Sequence, residues 1–98
     1  MDFATAPPPY PPPGPARNAL LRPLAHSIAA DTPGLIWKIW TEDAAAGRAG
    51  GLYAFATRED ALAYQAMHSA RVTARGATDI RAVIWDINPE LSAITQAE

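Results

Sequence analysis

Apolar positions along the chain recur first at helical spacing and then at strand spacing, and the switches mark the elements. From Ala16, Leu20, Leu21, Leu24 and Ile28 return every three or four residues, which predicts a helix with one apolar face. Asn18 is the N-cap candidate. Pro23 requires that helix to begin close before it or to kink there. Asp31-Thr32-Pro33-Gly34 ends it. "LIWKIWTE", Leu35 to Glu42, is rich in β-branched and aromatic residues and predicts a strand. Alternation puts Trp37, Ile39 and Thr41 on one face and Lys38, Trp40 and Glu42 on the other. "DAAAGRAGG" is a small-residue loop. "LYAFA" is a second strand, with Tyr53 and Phe55 on one face and Leu52 and Ala54 on the other, so the two strands form a hairpin. Thr57 caps a second helix that has acids in its first turn and runs to about Arg75, where Gly76 stops it. Ile80 to Ile87 is a further strand, broken by Asn88-Pro89. Leu91 and Ile94 suit a helical turn in the tail, residues 89–98.

The order (β)αββαβ is the ferredoxin-like α+β arrangement, an antiparallel sheet with two helices on one face. Its central first strand has only Met1 to Ala6 to form in. "PPPYPPPGP", Pro7 to Pro15, holds seven of the ten prolines and cannot lie inside a sheet. It reads as a stiff connector; the other reading is a docking motif for a proline-binding domain. The 98 residues amount to one domain, and pairing with a second copy would bury more surface than so short a chain can bury alone.

Composition narrows the chemistry. A net charge of -2 and a pI near 5.6, with no basic run, give no nucleic-acid footprint. The absence of cysteine excludes disulfides, thiolate catalysis and cysteine-ligated metals, and two histidines far apart argue against a metal cage. No apolar run approaches the ~20 residues that span a bilayer, and the proline-rich start does not resemble a signal peptide, so a soluble cytoplasmic protein is expected.

No nucleophile elbow or phosphate loop is present, and Gly50-Gly51 reads as a tight lead-in to the second hairpin strand. Tyr64, His68 and Arg71 share one helix stripe. A phenol, an imidazole and a guanidinium so placed could bind and deprotonate an acidic aromatic substrate; the plainer reading is a half-buried face with a Tyr–His contact. The tryptophans read as core, Lys38 as a solvated or edge-protecting residue, and Glu42 as surface, although Lys38 and Glu42 could pair across Trp40. His26 is expected to be exposed, and Asp86 solvated or ion-paired.

Four blocks, "PGLIWKIWTE", "AGGLYAF", "ALAYQAMHSAR" and "WDINPELSAI", resemble in order and spacing the YdhR-like family of monooxygenases, over roughly Leu21 to Ala97. The resemblance implies a dimeric α/β barrel: two ferredoxin-like subunits pack their sheets together, and each keeps a pocket between sheet and helices. It also implies oxidation of a quinol- or anthrone-like aromatic by O2 without metal or flavin, with no cofactor. Carried over to this chain, His68 takes the proton-transfer role and Arg71 or Lys38 stabilises the substrate anion. Trp37, Lys38, Trp40, Glu42, Tyr53, Phe55 and Tyr64 contact substrate. Trp37 and Trp40 point opposite ways, so one is expected at the pocket and the other in packing. A non-catalytic dimer binding a small aromatic ligand is the alternative, and haem binding, as in some superfamily members, a third. The start departs from the family pattern: "MDF" stands only for the end of the longer first strand of relatives, and the proline run exceeds their short Gly-Pro turn.

Overall fold

The computed structural model describes residues 1–6 and 11–95. The extended reading of residues 7–10 and the end of the tail lie outside the described residues. The elements are β1 (Asp2–Ala4), α1 (Pro15–Asp31), β2 (Leu35–Asp43), β3 (Arg48–Phe55), α2 (Arg58–Ala74), β4 (Thr78–Arg81) and α3 (Pro89–Ile94). The four strands form one antiparallel sheet in the order β2-β3-β1-β4, with helices packed on it, as the ferredoxin-like reading requires.

Three residues of β1 hold the centre of this sheet. Asp2, Phe3 and Ala4 stand opposite Gly50, Ala49 and Arg48 of β3, while Asp2 and Ala4 stand opposite Arg81 and Thr78 of β4. So short a ladder gains from side-chain ties. The Asp2 carboxylate accepts hydrogen bonds from Arg81 (Nε, 2.9 Å) and from Arg48 (Nε, 2.7 Å), one on each flanking strand. Arg81 chiefly, then Arg48, holds the Asp2 carboxyl below the usual carboxylate range. Arg48 also donates to the carboxylate and the carbonyl of Asp79, both at 2.8 Å. Those bonds fix Asp79 in the left-handed region, at φ 50°, which Asp tolerates.

The hairpin strands are longer than their apolar cores suggest. β3 begins at Arg48, so the loop shrinks to residues 44–47, because residues 48–50 pair on both sides, with β2 and with β1. Backbone pairing here outweighs the poor strand propensity of the glycines. A Cβ at Gly50 would collide with the Met1 carbonyl and the Asp2 backbone, and one at Gly51 would lie 2.9 Å from the Tyr53 ring. The lead-in glycines therefore let β1 and the Tyr53 ring lie flat against the strand.

Helix α1 starts at Pro15, three residues before the expected Asn18 cap. Gly14 takes the N-cap position, and Pro15 suits a first turn that needs no amide donor. The helix continues through Pro23. Its inward stripe is Arg17, Leu21, Leu24 and Ile28, whereas Leu20 faces solvent. Helix α2 matches expectation: Thr57 Oγ1 accepts from the Asp60 amide at 3.1 Å, and Tyr64, His68 and Val72 are buried. The last strand departs most. β4 spans four residues instead of eight, because β1 is too short to pair with more, and residues 82–88 continue without sheet pairing among the described residues. The alternation persists there: Val83, Trp85 and Ile87 are exposed, and Ala82 and Ile84 are half-buried. Asn88 then caps α3, its side chain accepting from the Leu91 amide at 3.0 Å.

The close approach of β1 to Gly50 predicts that Gly50→Ala destabilises the fold by about 1–3 kcal/mol, as overpacking does. Urea unfolding measures this; an unchanged midpoint would contradict the close approach.

Candidate active site

A cavity of about 290 Å³ lies between the sheet and the two long helices. Phe3 and Thr5 come from β1 and the residue after it, Lys38, Trp40 and Glu42 from β2, and Ala49 and Gly50 from β3. The helical wall carries Arg17, Leu21, Arg22 and Leu24 of α1 and His68 and Val72 of α2, with Arg75 just beyond.

Strand register settles which tryptophan belongs to it. Lys38 stands opposite Tyr53 and Trp40 opposite Gly51, while Trp37 and Ile39 stand opposite Ala54 and Leu52. Tyr53 packs against the α2 rings of Tyr64 and His68 (centroids 5.1 and 6.5 Å), so its face is the helix side. Lys38 and Trp40 share that side, and Trp37 takes the other. Trp40 is 42% exposed and opens onto the cavity. Trp37 does not line it, and its Nε1 is buried with no hydrogen-bond partner among the described residues.

The expected site residues divide into a wall and a support. Lys38, Trp40, Glu42 and His68 line the cavity. Tyr53, Phe55, Tyr64 and Arg71 do not; Tyr53, Tyr64 and Arg71 contact His68, and Phe55 packs on Tyr64. Tyr64 is the hub: its ring is 5.1 Å from Tyr53, 5.4 Å from Phe55 and stacked on His68 at 5.0 Å. Arg71 Nη2 donates to the Tyr64 hydroxyl at 3.4 Å. The pairing imagined between Lys38 and Glu42 is not formed. Glu42 accepts from Arg17 Nη2 at 2.9 Å, and Lys38 Nζ lies 3.6 Å from the centre of the Trp40 ring, a cation–π contact. Asp86 pairs with Arg58, and His26 is exposed, both as expected.

Histidine 68 is 3% exposed, and its Nδ1 lies 3.0 Å from Arg71 Nε and 2.6 Å from Nη2. A guanidinium has donors only, so Nδ1 must present its lone pair, and the neutral ring carries its proton on Nε2. Burial first, then the charges of Lys38, Arg71 and Arg75, push the His68 pKa down to about 3. At neutral pH this ring is an uncharged Nε2–H donor. Burial, then Arg71, lowers the Lys38 pKa to about 8, near enough to neutrality for the amine to gain or lose a proton in use. Burial raises the hydroxyls of Tyr53 and Tyr64, so both stay protonated at neutral pH. Among the described residues, no three His, Asp or Glu side chains cluster as metal ligands, and no helix is long and apolar enough to cross a membrane.

Sequence reasoning missed Arg17, Arg22 and Arg75. Arg17 stands four residues before Leu21 on the inward stripe of α1, and Arg75 four and seven after Arg71 and His68, so helical spacing was the available signal. A charged residue on such a stripe is ordinarily assigned to solvent.

The βαββαβ order, with one antiparallel sheet and helices on one side of it, defines a ferredoxin-like α+β protein, and an aromatic, cationic cavity lies between the two layers. Residues 9–98 match the family described as "Putative mono-oxygenase ydhR", and the chain belongs to that family. No curated protein matches it at a significant level.

The buried neutral histidine sets an acid limit on stability. His68 titrates near 6.5 unfolded and near 3 folded, so the unfolded chain binds the extra proton between these values, and stability falls as pH drops through that window. The loss from Asp2, whose folded pKa is depressed, comes lower, as pH falls below its unfolded value of 3.8. Melting temperature should therefore decline from about pH 6.5 to about pH 4.5. His68→Gln, which keeps an acceptor for Arg71, should flatten that decline; the same decline in the variant would contradict the assignment.

Proposed function

We propose that the chain is a cofactor-independent monooxygenase that oxidises a quinol- or anthrone-like aromatic with O2, working as a homodimer. The observation that carries this reading is the convergence of the Trp40 ring, the Lys38 amine and the His68 imidazole on one cavity of about 290 Å³. The family's monooxygenase description supports it.

The reaction suits these groups. A substrate methylene flanked by aromatic rings loses one proton, and the carbanion, drawn as its enolate, gives its electron pair to O2 in forming a C–O bond. The resulting peroxide takes up a proton. Loss of the second hydrogen from that carbon breaks the O–O bond and leaves a ketone and water. The enzyme must accept a proton and stabilise an oxyanion in a dry site. His68 was expected to move the proton, but Arg71 occupies its basic nitrogen. In this reading His68 instead donates Nε2–H to the developing oxyanion, Arg71 is its positioning residue, and Lys38 accepts the proton. Trp40 stacks on the substrate. Tyr53, Phe55 and Tyr64 hold the histidine in place.

The dimer draws support from the sheet's other face. Ile39 and Leu52 are about half exposed there, Trp85 is 79% exposed, and the alternating segment 82–88 lacks a strand partner among the described residues. A second sheet would cover such a surface. The occupied His68 Nδ1 also lends support to a second reading, a non-catalytic dimer that binds an aromatic ligand.

Oxygen uptake with a panel of quinols and anthrones separates the two. The enzyme reading predicts O2-dependent turnover that rises with pH through about 8 as Lys38 loses its proton. Lys38→Arg, which stays protonated, should remove that rise, and His68→Ala should lower kcat by about 10²-fold. Binding without oxygen uptake would favour the ligand-binding module. An unaltered pH rise in Lys38→Arg would remove Lys38 as the base.

A further inference from the structure

The distribution of the chain's positive charges points to a substrate feature beyond the reacting oxygen. Seven arginines and one lysine are present. Arg17, Arg48, Arg58 and Arg81 each form an ion pair with a carboxylate. The other four, Arg22, Lys38, Arg71 and Arg75, have no carboxylate partner among the described residues. Their positions are not scattered. Arg22, Lys38 and Arg75 line the one cavity of about 290 Å³, and Arg71 is bonded to His68, which lines it too.

Among the described residues Glu42 is the only acid in that wall, and its charge is already balanced by Arg17, which is 4% exposed. The cavity is therefore strongly positive in a chain whose net charge is -2. Like charges gathered around a concave surface cost stability, and a recessed site with low-dielectric walls strengthens their pull on an anion. The same wall holds Trp40, Leu21, Leu24, Phe3 and Val72, which suit a planar apolar body.

We infer that the cavity takes an aromatic ligand bearing a fixed anionic group, a carboxylate or a phosphate, held by Arg22 and Arg75 with its ring against Trp40. This rests on the proposed reading of the cavity as the substrate site. It adds a permanent anion, separate from the oxyanion that develops during reaction. The two guanidinium groups supply the charge-assisted donors such a group needs, and Lys38 is left to the reacting centre.

Binding of 1-naphthol, 1-hydroxy-2-naphthoate and 1-naphthyl phosphate to the full chain, followed by calorimetry without oxygen, tests this independently of turnover. At least one of the two anions should bind about tenfold or more tighter than 1-naphthol, and which one does so names the group. The advantage should shrink with added salt and vanish in the Arg22→Gln/Arg75→Gln double variant, but persist in Arg58→Gln, whose arginine pairs with Asp86. Equal affinity for the neutral ligand would overturn the inference. So would an anion preference that survives the double variant, or no binding of either anion below about 1 mM. If the anion preference holds but no panel compound consumes oxygen, the inference stands and the monooxygenase reading falls.

Discussion

The hydrogen bond from Arg71 to His68 Nδ1 is the constraint on which the site depends. It places a donor-only cation against the one nitrogen of His68 that could have acted as a base, and so fixes the ring's tautomer. The two residues are three apart on α2, which brings them to one side of the helix. Tyr64, one turn earlier, stacks on the imidazole and receives a further bond from the same guanidinium. Tyr53 and Phe55 of β3 close on Tyr64 from the sheet. One aromatic cluster thus anchors α2 to the sheet and holds the imidazole in a single protonation state at the cavity wall.

The same economy of charge runs through the fold. At the centre of the sheet, Asp2 and Asp79 engage Arg48 and Arg81, and those bonds secure a strand of three residues between two longer neighbours. At the cavity Arg17 is paired with Glu42, while Arg22, Lys38 and Arg75 have no carboxylate partner among the described residues. Arginine is thus used in two ways: Arg48 and Arg81 are paired where the short central strand is held, and Arg22 and Arg75 stand in the cavity wall without a carboxylate partner among the described residues. Lys38 lies between these uses, its charge resting on the Trp40 ring and opposed by burial and by Arg71.

Much of this was legible in the sequence. The helix–strand order followed from the change in hydrophobic period, and the Thr57 cap and Gly76 stop placed α2 to within a residue. Alternation alone separated Trp37 from Trp40, and the structure decided which of them opens on the cavity. The failures have physical causes. Arg48 and the glycines after it read as loop, because what makes them a strand is pairing with β1, which is remote in sequence. Val83 to Ile87 read as a strand, but an alternating pattern shows a face to be covered and cannot supply the partner that covers it. Arg17 and Arg75 were passed over because helical spacing reveals which positions face inward, and a cation is ordinarily assigned outward unless its partner or cavity is known. His68 was found by its company on the helix; its role depended on which nitrogen Arg71 engages, a matter of side-chain geometry that no spacing encodes.

Nitrogen-15 NMR of the histidine ring is the most direct measurement of the central claim, because the two tautomers and the imidazolium give distinct shifts. His68 should remain the neutral Nε2–H tautomer from about pH 5 to about pH 8. A His68 signal with its proton on Nδ1, or one that becomes imidazolium near pH 6, would contradict the account.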